Sequence, residues 1–366
     1  MLNLTVSFIA SLVINLFIVR YGSGRRSIAA DSDLQGVQKF HTRPVPRIGG
    51  LAIMAACWLA VAALWPRDGY LAGQLTTLLL ASLIAFASGL AEDITKKVRP
   101  FVRLIATAAA ALLGCTLAGA IIPRVDVALI DGWMAHWPVL AVVLSVVCVA
   151  GMVNAVNIID GFNGLASVTA ILMFMSLGYV AFKVGDPFVL GGALIMIGAI
   201  LGFFLWNYPN GMVFLGDGGA YLLGFVLAEL GILLVARNPQ VSAWYPALLF
   251  IYPIFETVFS IYRKKYLRGI SPGVPDGVHL HMLIYKRVIR WAIGKRNARV
   301  LLRRNAMTSP YLWALALIAV MPATIFWAQK YVLVGFLLGF ILVYCLLYRA
   351  IVRFRTPKWL VLHRTH

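Results

Sequence analysis

Apolar residues gather along this chain in long uninterrupted blocks, and polar residues fall between the blocks rather than alternating within them. A helix needs about 20 predominantly apolar residues to cross a hydrocarbon core about 30 Å thick. Eleven blocks have that character, near residues 2–19, 48–65, 71–91, 104–122, 137–154, 164–182, 187–205, 218–236, 243–262, 310–328 and 331–348. The pattern predicts an all-α fold: a polytopic transmembrane helical bundle of about 11 spans, forming one integral membrane domain over residues 1–366. An odd number of spans puts the two termini on opposite sides. The first block has no basic segment before it and ends in Arg20, Arg25 and Arg26 rather than at a small-residue cleavage site, so it reads as a retained span and not as a signal peptide.

Composition agrees with the pattern. With 61% hydrophobic and 12% charged residues, the chain has too little polar surface to cover a water-soluble globule of its length. The net charge of +19 suggests nucleic acid until its distribution is considered: 27 of the 32 Lys and Arg residues lie in the odd-numbered loops and the C-terminal tail. Only Arg67, Arg124, Lys183, Arg237 and Lys330 fall in the even-numbered loops. Basic loops are retained on the cytoplasmic side. The asymmetry therefore predicts a periplasmic N-terminus, a cytoplasmic C-terminus and contact with anionic lipid, with no nucleic-acid partner. The loops 20–47, 92–103, 155–163, 206–217 and 263–309 would form one cytoplasmic active face. Within the last of them, the basic and apolar stretch from Tyr285 to Ile293 reads either as a helix lying in the membrane interface or as one packed on the protein's own cytoplasmic face. The four cysteines stand singly in apolar blocks, with no metal-ligand or disulfide spacing, and read as packing residues.

Thirteen acidic residues are few enough to sort individually. Asp68, Asp126, Asp131 and Asp186 fall in the short outer loops and read as solvated turn residues; Asp31 and Asp33 lie in the first inner loop. Glu229 and Glu256 fall inside spans, where a charge is costly and either functional or paired with a basic neighbour. The other five, Glu92, Asp93, Asp160, Asp217 and Asp276, converge on the cytoplasmic face.

Each of those five has distinctive surroundings. Glu92-Asp93 closes the third span, and adjacent carboxylates suit a divalent cation or phosphate chemistry, although a helix end can carry such a pair for structural reasons alone. Asn154, Asn157 and Asp160 recur every third residue and share one helical face if the span continues that far; Asn163 follows. Asp217 stands between glycines in Phe214-Leu-Gly-Asp-Gly-Gly, just after Asn207, where close backbone approach and a helix N-terminus favour phosphate; a capped turn is the plainer reading. Asp276 precedes His279 and His281, two of six histidines, which can bond phosphate, move a proton near neutral pH or bind metal, or simply be solvated. Finally, Lys39, His41, Arg43 and Arg47, stiffened by two prolines before Ile-Gly-Gly, fit either a diphosphate clamp or a positive-inside anchor.

In order and placement these segments, from about residue 39 to 282, resemble the polyprenyl-phosphate N-acetylhexosamine-1-phosphate transferases. Pro-Val-Pro-Arg-Ile-Gly-Gly and Pro-Asp-x-x-His-Leu-His lie nearer the undecaprenyl-phosphate GlcNAc-1-phosphate branch than the phospho-N-acetylmuramoyl-pentapeptide branch, which has three consecutive histidines. Three positions depart from the family pattern: Glu92 replaces the first of two aspartates, Asn163 replaces a second aspartate after Asp-Gly, and Met282 replaces a histidine.

The resemblance implies transfer of a sugar 1-phosphate from a UDP-N-acetylhexosamine to undecaprenyl phosphate in the bacterial inner membrane, releasing UMP and starting an envelope polysaccharide such as O-antigen. It implies Mg²⁺, with Mn²⁺ as the alternative ion, bound by Asp217 with Asp93 and Asp160. Glu92, Asp93, Asp160, His279 and His281 would be catalytic, and Lys39, His41, Arg43, Arg47, Asn154, Asn157, Asn163 and Asn207 would bind substrate. Family similarity adds a homodimer. The rival reading is a transporter or flippase for a lipid-linked or anionic substrate; transporters carry their polar residues and broken helices at the bilayer midplane, whereas here they gather at span ends on one side.

Overall fold

A computed structural model describes residues 2–22, 30–31, 45–271, 277–289 and 298–353. Lys39, His41, Arg43 and Asp276 lie outside the described residues, as does the end of the Tyr285–Ile293 stretch.

The apolar blocks become helices. In chain order they are α1 (Leu2–Gly22), α2 (Gly49–Leu64), α3 (Gly69–Thr95), α4 (Pro100–Leu113), α5 (Ala128–His136), α6 (Pro138–Ile159), α7 (Leu165–Val184), α8 (Pro187–Asn207), α9 (Gly216–Arg237), α10 (Trp244–Leu249), α11 (Ile251–Tyr262), α12 (Leu280–Leu283), α13 (Ala298–Ile325) and α14 (Lys330–Val352). Nine helices among the described residues are long and apolar enough to cross a membrane. The other two predicted spans differ: α2 has 16 residues, and the block near 243–262 is broken at Phe250 into α10 and α11. The chain is an integral membrane protein.

Three further departures have local causes. The connection near 123–136 contains α5, whose Leu129 and Trp133 are exposed together with Trp137; Trp is a residue of membrane interfaces. Helix α13 starts well before residue 310 and continues through Pro310, where the bond a proline cannot donate is offset by tertiary anchoring of Ser309, whose hydroxyl donates to the Asn163 carbonyl at 2.6 Å. The helical prediction has one small exception, an antiparallel pairing of Ala30–Asp31 with Val45–Pro46.

Helix α9 forms the centre of the bundle; nearly every residue in it is buried. Helices α3 and α6 pack along it, and α1 packs on α8 at the edge. The α1–α8 contact is close because Ser7 and Ser11 face Gly198 and Gly202, spaced four apart on α8. Small residues let helices approach in lipid, where packing rather than hydrophobic expulsion holds them together. The wide helical turn Ile284–Ile289 buries Tyr285, Val288 and Ile289 against the protein, which favours the packed reading of that stretch over the interfacial one.

Candidate active site

Three segments far apart in sequence are drawn together by their glycines. The backbone of Gly49 donates to the Phe214 carbonyl at 2.9 Å, Gly50 donates to Leu215 at 2.9 Å, and Phe214 donates back to Pro46 at 2.8 Å. A Cβ on Gly50 would collide with the backbone of Gly219, and one on Gly89 would reach the Asp217 carbonyl at 2.7 Å. Gly216 adopts φ +76°, where side chains are strained, and a Cβ there would meet Asp93. The Ile-Gly-Gly start of α2, the end of α3 and the Gly-Asp-Gly-Gly start of α9 therefore fit only as glycine-rich surfaces.

Asp93 sits at that junction, 4% exposed, and accepts from the backbone N–H groups of Asp217 at 2.9 Å and Gly218 at 2.9 Å. It caps α9, meeting donors that a helix start leaves unpaired. Each Asp93 oxygen keeps one lone pair beyond this bond. Glu92, beside it, accepts from the Val98 N–H at 2.8 Å and closes the turn after α3.

Asp217 is arranged differently. Its carboxylate meets two guanidinium groups: Arg103 bonds Oδ2, and Arg47 stands 3.5 Å from Oδ1. Arg47 also lies 3.8 Å from Asp93. Asp160 ends α6 in the same electrostatic neighbourhood. Although part of it reaches the surface, loss of solvent pushes its carboxyl up to about 7; Arg47 pulls it down, and Asp217 and Asp93 push it up.

The asparagines divide into two groups. Asn157 stands near Asp160 on the last turn of α6, and Asn154 donates to the Ala150 carbonyl one turn back at 2.7 Å. Asn163 and Asn207 are buried and tie loops together. Asn163 donates to the Pro209 carbonyl at 3.0 Å, while Asn207 accepts from Gly164 N–H at 2.6 Å and donates to Val213 at 2.8 Å. They hold the Asp-Gly-Phe-Asn-Gly loop in shape. Asn305 and Trp313 on α13 complete that clamp, accepting from the Asn163 N–H at 2.8 Å and donating to the Gly164 carbonyl at 3.1 Å.

His279 and His281 are both buried and their rings stack 5.3 Å apart. His279 Nδ1 bonds Glu256 Oε1 at 3.0 Å, and Tyr344 donates to the other Glu256 oxygen at 2.7 Å. This fixes the ring and leaves Nε2 as the nitrogen outside the bond. His281 packs edge-on against Phe162, and a Cβ on the adjacent Gly161 would lie 3.0 Å from its Nε2. Burial pulls its pKa down to about 3; Glu256 acts in the opposite sense and His279 adds to the depression. His281 is therefore neutral at physiological pH.

Of the two mid-span acids, Glu256 is the buried partner of a histidine. Glu229 is fully buried against Gly114, with both oxygens lacking a hydrogen-bond partner among the described residues.

Sequence reasoning missed Arg103, Tyr344, Asn305 and Trp313. Arg103 lies within a loop singled out for its charge, but nothing local distinguishes it from Arg99. The outer acids were read as solvated, and that is corrected for Asp186. It is 5% exposed, caps α8 through Phe188 and Val189, and accepts from Arg237 at 2.9 Å and Asn238 at 3.1 Å.

Among the described residues no three His, Cys, Asp or Glu side chains assemble a protein-only metal cage, so the predicted set of Asp217, Asp93 and Asp160 does not form one. Mg²⁺ does not require a cage: it is held by one or two carboxylates together with phosphate oxygens and water. Asp217, whose oxygens face only Arg103 and Arg47 among the described residues and whose backbone N–H is held by Asp93, fits that chemistry.

A polytopic helical membrane protein with carboxylates, guanidiniums and imidazoles gathered at one end of the bundle is thus defined. Residues 75–235 match the family described as glycosyl transferase family 4. The chain is 27% identical over 285 residues, 77% of each chain, to the "Probable undecaprenyl-phosphate N-acetylglucosaminyl 1-phosphate transferase" of Bacillus subtilis. It is 29% identical over 254 residues to the "Undecaprenyl-phosphate alpha-N-acetylglucosaminyl 1-phosphate transferase" of Thermotoga maritima, covering 69% of this chain and 72% of the relative. A "Phospho-N-acetylmuramoyl-pentapeptide-transferase" of Streptococcus equi subsp. zooepidemicus is also 29% identical, over 299 residues, 75% of this chain and 82% of the relative. Overall identity thus does not separate the two branches.

Proposed function

We propose that this protein transfers a sugar 1-phosphate from a UDP-N-acetylhexosamine to undecaprenyl phosphate at the cytoplasmic face of a bacterial inner membrane, releasing UMP. The observation that carries the reading is the junction of α2, α3 and α9, where Asp217 meets Arg47 and Arg103 and Asp93 holds the backbone of the same helix start. The names of relatives on both branches denote phosphate-linked sugar transfer. The Pro-Asp-x-x-His-Leu-His segment favours the GlcNAc branch, and with it an envelope polysaccharide such as O-antigen.

Phosphoryl transfer depends on alignment and charge neutralisation more than on covalent help. Asp217, with Asp93 or Asp160, would hold Mg²⁺, which supplies charge stabilisation to the diphosphate when bound. Arg47 and Arg103 present planar donor forks suited to phosphate oxygens. His279, held by Glu256, would donate through Nε2–H to a phosphate oxygen as an imidazolium. A phosphate monoester has its second pKa near about 6, so the lipid nucleophile is already ionised at neutral pH and needs no base from the Glu92-Asp93 pair. An apolar groove of about 540 Å³ between α6, α9 and α11, bordered by Met152, Ala155, Ala228, Ile232, Val258 and Ile261, suits a polyprenyl tail and reaches the helix that ends at Asp160.

Purified protein given undecaprenyl phosphate, Mg²⁺ and a panel of UDP-sugars tests this. The expected result is UMP release that requires the lipid and an N-acetylhexosamine and stops with chelator. Lipid-linked substrate moving across vesicles with no UMP formed would favour a transporter instead.

A further inference from the structure

We propose that Arg103 is a counter-ion that competes with the divalent metal for Asp217, so that metal and nucleotide reinforce each other's binding by drawing Arg103 off the carboxylate. The inference rests on the metal reading of Asp217 given above.

Pro100 at the start of α4 and the Arg103 N–H to Arg99 carbonyl bond at 3.2 Å set Arg103 in the first turn of that helix, facing α9. Its guanidinium bonds Asp217 Oδ2 while Arg47 stands 3.5 Å from Oδ1, so each oxygen of the acid faces a cation. Both partners are largely shielded from water, with side chains 18% and 14% exposed, and a charge-assisted bond in such surroundings is stronger than one at the surface. A divalent ion using Asp217 must take an oxygen from Arg103. Displacing a guanidinium into a half-buried position without a new anion is costly.

Arg103 is not fully satisfied by Asp217. Its Nε is buried with no hydrogen-bond partner among the described residues. Arginine has five donors in a fixed fork, and that fork fits phosphate as well as carboxylate. An incoming diphosphate therefore offers Arg103 a second anion at the moment Asp217 is needed by the metal. Coupling of this kind is reciprocal, since each ligand must tighten the other by the same factor.

The experiment is Mn²⁺ titration of the full-length protein in detergent, followed by electron paramagnetic resonance, with and without UDP, for wild type, Arg103→Gln and Arg103→Lys. If Arg103 competes with the metal, Arg103→Gln binds Mn²⁺ about tenfold more tightly than wild type in the absence of UDP, and the tightening produced by UDP shrinks by the same factor. Arg103→Lys keeps the charge and stays close to wild type, which also guards against misfolding of the glutamine variant. If Arg103 only supports the position of Asp217, Arg103→Gln binds Mn²⁺ more weakly. Weaker or unchanged binding overturns the inference while leaving the proposed function standing. Wild-type protein that takes up no Mn²⁺ even with UDP overturns the metal reading itself, and the inference with it.

Discussion

The two ends of the bundle use carboxylates in opposite ways. At the end carrying Asp186 and Asp126, each acid is saturated by neighbours whose job is to hold the chain. Asp186 takes two backbone N–H groups, Arg237 and Asn238, while Asp126 takes Arg124 at 3.0 Å, the Ala243 N–H at 2.9 Å and Ser242 at 3.2 Å. At the other end Asp217 has cations but no backbone donors, and no described donor bonds the Asp160 carboxylate. Acids whose oxygens are filled by structural donors, as at Asp186 and Asp126, are committed to holding the chain. Acids that face only movable cations keep capacity for a ligand.

The largest effect that sharpens this contrast is in turnover. Asp217→Asn should lower UMP release by about 10³-fold, the scale on which loss of a charge-stabilising group acts. Asp186→Asn should leave the rate per folded molecule within about twofold and instead cost stability, about 1 kcal/mol for a weakened helix cap. Equal losses of rate at both positions would dissolve the distinction.

Next is Glu256→Gln. An amide cannot hold both the His279 Nδ1–H and the Tyr344 hydroxyl as the carboxylate does, and loss of an orienting partner of this kind costs about 10–100-fold in activity. Tyr344→Phe should cost less, and kcat should fall more than KM rises in both.

Gly50→Ala tests the glycine junction. A methyl placed against Gly219 overpacks the site and should destabilise the protein by about 1–3 kcal/mol, read as a lower Tm, with activity falling because Arg47 and Asp217 are pushed apart. An unchanged Tm would mean that α2 and α9 approach less closely than described.

A last effect concerns pH. His281 titrates near 3 in the folded protein, against about 6.5 when unfolded. Between those values the unfolded chain binds the extra proton, so stability is full above pH 6.5 and falls as the pH drops toward 3, by up to about 1.4 kcal/mol per pH unit. His281→Gln should flatten that part of the Tm-against-pH curve. An unaltered curve would show that His281 is not buried as a neutral ring.

Much of this was legible in the sequence because membranes impose a one-dimensional code. Apolar blocks gave the helices, and the even-against-odd distribution of Lys and Arg grouped the chemical segments on one face. Glycines beside Asp217 signalled close backbone approach, which is what Gly216, Gly50 and Gly89 provide. The hidden part depends on long-range contacts with no local pattern. Asn305 reaches Asn163 across 142 residues, Tyr344 reaches Glu256 across 88, and Arg103 reaches Asp217 across 114. Asp93, a ligand by type, also caps the helix that carries Asp217. Spacing could not reveal this, because its donors belong to another segment.

The central claim is that a phosphate moves together with the sugar. UDP-N-acetylglucosamine radiolabelled in its β-phosphate, incubated with the purified protein, Mg²⁺ and undecaprenyl phosphate, tests it most directly. The account predicts that the label enters the organic phase on the lipid while unlabelled UMP stays in water, and that Asp217→Asn slows the transfer by about 10³-fold. Label retained in water as UDP, with only the sugar reaching the lipid, would contradict it.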